Sequence, residues 1–457
     1  MPPSPASVPS VPEAVHAKLR DLYRAAVLGA DPAAATEEAV AALPLDGAKR
    51  LQLIAIGKAA HAMAAAAVKA LAARGMAPSG GVVVGAHGEA SPHVELSTVT
   101  GEHPVPGPNS FRAADRIAEL IASLRPDDEV LVLLSGGGTA LVGAPVSGCE
   151  GGDLIALNEL LLGAGADITV MNAVRKRFSR WAGGRLAQAL APRRTHVLIV
   201  SDVPNDDPTF VASGPCAPDP LIARDVRQLL EEHDLMRRLP ARCAAWLARA
   251  ETGDEPETPK PGDPCFARVT SRVILGNPHA LRAAAARATT LGVMPVAIAR
   301  EPLVGEARAV APYLVQELLR FREDGLQGVR DPGKWAAIVW GGETTVTLPE
   351  GEAVGAGGRC QELALAVARE LRDAGGAATG VAVLAAGTDG RDGPTDAAGA
   401  IVDCRTWDRI AATGRDPAAD LARHDAFHAL DAVDALVRTG LSGTNVRDVV
   451  IGLVTIR

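Results

Sequence analysis

Short apolar runs recur along the chain, each ending at a polar, often Gly-bearing corner and each followed by apolar positions at helical spacing. Leu51–Ile56, Val82–Gly85, Val130–Leu134 and Val197–Val200 read as strands. Helices are expected over Ala59–Arg74, Ser110–Leu124, Asp153–Leu162 and Asp167–Leu190, the last interrupted at Gly183-Gly184. Ahead of them, Val15, Leu19, Leu22 and Tyr23 predict helix within residues 13–44. The rhythm pauses at Glu251–Pro264, ETGDEPETPKPGDP, which is charged, Pro-rich and aperiodic. It resumes with Val273–Leu275 then Asn277–Thr290, and Met294–Ile298 then Gly305–Arg322. Ala336–Trp340 then Cys360–Asp373, Val381–Ala385 and a closing strand Val449–Ile456 follow.

Strand and helix in alternation predict an α/β fold of two α/β domains, the first Rossmann-like with a mainly parallel sheet. The boundaries expected are a disordered Pro/Ser tail at 1–12, a first domain at 13–250, a linker at 251–264 and a second domain at 265–457. A chain of 457 residues, 47% of them hydrophobic, can bury cores of that size.

Composition narrows the partners. A net charge of −8 argues against a nucleic-acid groove or an anionic membrane surface, and an aromatic content of 3% argues against base-stacking platforms. An acidic small molecule would need a local basic pocket. The six cysteines show no C-x-x-C and no His at metal-ligand spacing, which fits a reduced, cytoplasmic setting without a zinc site or disulfide framework. No uninterrupted apolar run approaches the length of a membrane span.

Candidate chemistry gathers at the strand ends. The stretch Val197–Pro215, VLIVSDVPNDDPTFVASGP, leaves an apolar strand and places Asp202, Asp206 and Asp207 just beyond it. Adjacent carboxylates repel unless a cation or hydrogen-bond donors compensate, so they call for Mg²⁺, a basic side chain or a hydroxyl to be deprotonated. Lys58 starts a helix, where a cation faces the positive end of the macrodipole, and Arg359 stands the same way before Cys360–Asp373. Ser135, Gly136, Gly137 and Gly138 follow a buried strand, and successive amides without Cβ atoms can hold an anion. Asn172 and Lys176, four apart, share a helix face within a basic run that also contains Arg175 and Arg177. His103, in a Pro-stiffened turn, is ambiguous, a hydrogen-bonded loop residue more often than an acid or base in such a place. The loop at 387–396 carries Asp389 and Asp392 without EF-hand spacing. Neither G-x-G-x-x-G nor a Walker A motif occurs.

Eight segments in order, IGKAA (56–60), SGGGTAL (135–141), NAVRK (172–176), SDVPNDDPTFVASGP (201–215), GGETTV (341–346), GGRCQELALA (357–366), AGTDGRDGPTDAAGA (386–400) and GTNVRD (443–448), resemble the glycerate 2-kinase family. The last four are similar to its C-terminal MOFRL region, about 335–450. Cys360 stands where that family suggests Asn, and Asn205 where Gly is common. The resemblance implies ATP-dependent phosphorylation of D-glycerate on its 2-hydroxyl, with Mg²⁺ present, in a cleft between the two domains of a monomer or homodimer. Lys58 and Ser135–Gly138, with Asn172 and Lys176, would then hold the phosphates. Arg359 would act as a clamp, Asp202 or Asp389 as base or Mg²⁺ ligand, and Asp207 and Asp392 as further metal ligands. Some members carry the label hydroxypyruvate reductase, which makes an NAD(P)H-dependent reductase the alternative; the missing dinucleotide fingerprint weighs against it.

Overall fold

The computed structural model describes residues 11–45, 50–164, 168–326, 333–349 and 354–456. The expected tail up to residue 10, Asp167, and Gly351 with the two residues after it lie outside them. Two compact units emerge, one of residues 32–275 and one of residues 1–31 with 276–457.

In the 32–275 unit six strands form one sheet: β1 (Leu51–Ile56), β2 (Gly80–Gly85), β3 (Leu96–Thr100), β4 (Glu129–Leu134), β5 (Arg194–Val200) and β6 (Val269–Leu275). All pairings are parallel, in the order β3-β2-β1-β4-β5-β6. Strands covered on both faces need side chains that are apolar on both, and Val130–Leu134 is at most 1% exposed throughout. Each such residue contributes roughly 1.5–3 kcal/mol by leaving water. Ile54, Ile56, Val132, Leu134, Val197 and Ile199 pack one face. The helix Ala60–Ala73 is Ala-rich, and buries Met63, Ala64, Ala67 and Leu71. The strand order reverses direction between β1 and β4, so the crevice beyond their carboxyl ends is the expected ligand position.

The other unit is a mixed seven-stranded sheet in the order β12-β11-β10-β13-β9-β7, with β8 paired to β9. These are β7 (Val296–Ile298), β8 (Leu303–Glu306), β9 (Trp335–Thr345), β10 (Val381–Gly387), β11 (Gly399–Asp403), β12 (Leu436–Val437) and β13 (Asp448–Thr455). Its core includes Val383, Leu365, Trp340 and Val450.

The division differs from the expected 13–250 and 265–457. The helix Glu13–Leu28 belongs with the later unit, where Tyr23 Oη donates to Gly387 O at 2.6 Å and Arg287 pairs with Asp21 at 2.7 Å. Residues 251–264, expected as a linker, lie inside the 32–275 unit: Glu257 pairs with Arg177 and accepts from Ala223 N at 2.8 Å. A charged, Pro-rich composition signals lack of periodicity, which ion pairs to a packed helix satisfy as well as solvent does. Strand β8 also replaces the start of the helix expected from Gly305, which begins at Ala307.

Candidate functional site

The corner after β1 and the turn after β4 meet directly. Lys58 N donates to Gly136 O at 2.9 Å, and Ser135 Oγ accepts Ala59 N at 3.0 Å. Ser135 Oγ therefore satisfies one of the free amides at the start of the following helix, while the Lys58 side chain stays exposed. Gly137 adopts φ 81°, which an L side chain resists, and the Lys58 stem and the His103 ring both flank it. Gly136 is required for a different reason: a Cβ there would lie 1.7 Å from Asp202 Oδ2. The half-buried Asp202 carboxylate is thus packed onto the glycine turn.

Beyond β5 the chain is strained. Asn205, Asp206, Ala212 and Ser213 have φ of 57°, 53°, 50° and 59°. Four non-glycine residues in the left-handed region within one loop are uncommon, and such strain clusters at functional sites. The Asn205 departure from the family's Gly now has a reason, because Asn tolerates this conformation better than any β-branched or bulky residue. A chain of side-chain bonds braces the loop: Thr139 Oγ1 lies 2.8 Å from Ser213 Oγ, which donates to Asn172 Oδ1 at 2.9 Å. Asn172 is buried there, and Lys176 on the same face is buried 3.9 Å from Asp219 and over the Phe210 ring. The rest of the basic run diverges. Arg177 pairs with Glu257 and Asp219, and Arg185 donates to the carbonyls of Lys176 and Ser179.

His103 is drawn into this corner. Desolvation first, then the charges of Lys58 and Arg175, lower its pKa to about 4, although the residue as a whole is exposed. The imidazole is neutral at physiological pH. His103 and Arg175 are unremarkable in the sequence, because a Pro-flanked turn and a basic run are ordinary; only the folded chain brings His103 beside Lys58 at Gly137 and within the field of Arg175.

Arg359 and Asp389 lie in the other unit. Register aligns Gly387, Asp448 and Gly342 across β10, β13 and β9, and these strand ends gather the charges. Arg359 makes a two-pronged pair with Asp448 at 2.7 and 2.9 Å and reaches Glu343 at 3.0 Å. Burial opposes its charge, but the Asp448 pair more than offsets that and raises its pKa. Its position at a helix start is thus compensated locally by two carboxylates. Those partners, Asp448 and Glu343, were not singled out from the sequence, although both fall in segments that carry the family resemblance. Asp389 accepts Arg391 N at 3.2 Å and sits beside Gly387. Asp392 accepts the amides of Cys360 at 3.2 Å and Gln361 at 2.8 Å, one on each oxygen, which places it as an anchor of the helix Arg359–Asp373. Cys360 is buried and contributes its amide, so the missing Asn side chain removes nothing from that bond.

Metal-binding capacity is modest. Among the described residues no group of three or more His, Cys, Asp or Glu is placed to hold an ion. Asp207 Oδ1 accepts Thr209 N at 2.8 Å, and Asp206 Oδ1 is buried without a hydrogen-bond partner. Oxygen donors of this kind suit a hard ion such as Mg²⁺ that keeps most of its ligands as water and phosphate.

A doubly wound parallel sheet whose switch point joins a lysine, a glycine turn and a carboxylate places this chain among the α/β proteins. Residues 18–248 match a domain of unknown function (DUF4147), and residues 336–448 match the MOFRL family. A D-glycerate 2-kinase of Thermotoga maritima is 34% identical over 97% of this chain and 99% of its own. A relative from Agrobacterium vitis, provisionally named a hydroxypyruvate reductase, is 38% identical over 94% of this chain and 92% of its own. The crystal structure of a Thermotoga maritima glycerate kinase superposes with a TM-score of 0.82 at 34% identity, covering 97% of this chain and 100% of that one. The chain belongs to the glycerate kinase family.

Proposed function

We propose that this protein is a D-glycerate 2-kinase, transferring the terminal phosphoryl group of ATP to the 2-hydroxyl of D-glycerate to give 2-phosphoglycerate and ADP. Membership of the glycerate kinase family supports the reaction class, and one observation carries the local chemistry: Lys58, the Ser135–Gly138 turn and Asp202 converge at the β1–β4 switch point. Phosphoryl transfer asks the protein for charge neutralisation and positioning more than for covalent chemistry. In this reading Lys58 holds the transferring phosphate as a mobile point charge, and the amides of Gly136–Gly138 fix its oxygens. Asp202, held against Gly136, orients the acceptor hydroxyl and takes its proton. Mg²⁺ would arrive with the triphosphate, with Asp206 and Asp207 as its protein ligands; when bound, it neutralises phosphate charge. Asn172 keeps the strained 211–214 turn in place. No helix among the described residues is long and apolar enough to cross a membrane, which agrees with a freely diffusing acid as substrate.

The test is incubation with D-glycerate and MgATP, with ADP release coupled to an absorbance readout and the product identified by ³¹P NMR. 2-Phosphoglycerate is expected. Oxidation of NADH or NADPH by hydroxypyruvate without ADP release would replace the kinase reading with the reductase one.

A further inference from the structure

The basic run on the helix Ile168–Phe178 sorts its three cations in three ways. Lys176 has Asp219, and Arg177 has Glu257 and Asp219. Arg175 has no carboxylate partner among the described residues. It is half-buried, its Nε lacks a hydrogen-bond partner, and burial alone draws its pKa down. A guanidinium taken out of water without a counter-ion is a net loss to folding, so its retention calls for an anion that comes and goes. The titratable group it faces is not a carboxylate but the neutral imidazole of His103, which also faces Lys58.

Resting on the kinase reading, we propose that Arg175 and His103, beside Lys58, form the subsite for the carboxylate of the acid substrate. Arg175 offers a planar fork that matches two carboxylate oxygens, and neutral His103 adds one N–H donor. The position relative to the phosphoryl group also fits. His103 Nε2 and Lys58 Cγ lie 3.3 and 3.2 Å from where a Gly137 Cβ would stand, so ring and lysine stem border the same glycine of the anion turn. In a 2-hydroxy acid the carboxylate carbon is bonded directly to the carbon bearing the reacting hydroxyl. Its carboxylate and phosphoryl subsites must therefore be neighbours, whereas a 3-hydroxyl stands one carbon further away. The subsite selects 2-hydroxy acids over neutral polyols.

Arg175→Met and Arg175→Lys separate this from the alternatives. Removing the fork should raise KM for D-glycerate by about 30-fold or more, with KM for MgATP within about twofold, and Lys should recover part of the loss. Because the cation lacks a protein partner, Arg175→Met should leave Tm unchanged or raised, an outcome that a merely structural arginine would not give. In ¹H–¹⁵N spectra of the full chain without nucleotide, D-glycerate should raise the His103 titration midpoint, and glycerol should not. A rise in KM for MgATP alone would assign Arg175 to the triphosphate and overturn the proposal, as would unchanged kinetics. Should the wild type make no phosphoglycerate, the kinase reading fails; the His103 response to D-glycerate then decides the carboxylate subsite separately, and no response rejects it.

Discussion

Gly136→Ala isolates the contact on which the proposed chemistry depends. The new Cβ would stand 1.7 Å from Asp202 Oδ2 and 2.3 Å from its Cγ, where ordinary contact begins at 3.4 Å. The carboxylate must retreat by the difference between 1.7 and 3.4 Å, about 1.7 Å. Gly136 does not have a positive φ, so Ala brings no left-handed strain and even gains about 0.4–1 kcal/mol by restricting the unfolded chain. Overpacking acts against this by about 1–3 kcal/mol, leaving a modest net destabilisation. The catalytic effect should be larger, because displacing a positioned group by an ångström can cost about 10²-fold in rate. Steady-state ADP release would report kcat, and urea unfolding would report stability. The decisive comparison is a double-mutant cycle with Asp202→Ala: once the carboxylate is gone, Gly136→Ala should change kcat by less than about threefold. A Gly136→Ala enzyme with unchanged kcat, or one whose loss persists in full without Asp202, would refute the assignment.

Three further outcomes follow from the same geometry. Lys58→Ala should lower kcat by about 10²-fold or more while leaving the unfolding midpoint in place, since the side chain is exposed and only its backbone amide holds Gly136. Asn205, at φ 57°, should tolerate Gly within about 0.5 kcal/mol, whereas Ala should cost about 1–2 kcal/mol in urea unfolding. Asp392 is pushed up to about 7 by burial, and by Asp448, against the lowering amides of Gln361 and Cys360. Its folded pKa thus exceeds its unfolded one. The stability it contributes is complete below about pH 4 and is lost as pH rises toward 7, at up to about 1.4 kcal/mol per pH unit. A carboxyl ¹³C midpoint near 4 would contradict this.

The sequence carried more of the architecture than of the site. Leu51–Ile56 was delimited as observed because an uninterrupted apolar run marks a strand buried on both faces, and the helix after β1 was expected within a residue of its observed ends; the short helix Gly138–Leu141 after β4 was not expected. Strand β3 (Leu96–Thr100) passed unnoticed, being half-exposed and polar enough to read as loop. The charged excursion 251–264 and the helix Glu13–Leu28 were assigned to the wrong neighbours for a related reason. Composition reports how a segment meets water, not which distant element it pairs with.

Each candidate at a strand end was visible as a residue type in a telling place: a lysine opening a helix, glycines after a buried strand, carboxylates beyond another. Their distances were not. That Lys58 binds the Ser135–Gly138 turn, that Gly136 seats Asp202, and that Arg359 is already neutralised by Asp448 and Glu343 depend on strand order and register. Those are set by pairings across dozens to hundreds of residues. The linear pattern determined the elements, because local propensity and burial periodicity act over a few residues. Only the tertiary structure decided which charges share a corner and which are left without a partner, because electrostatic energy depends on separation in space.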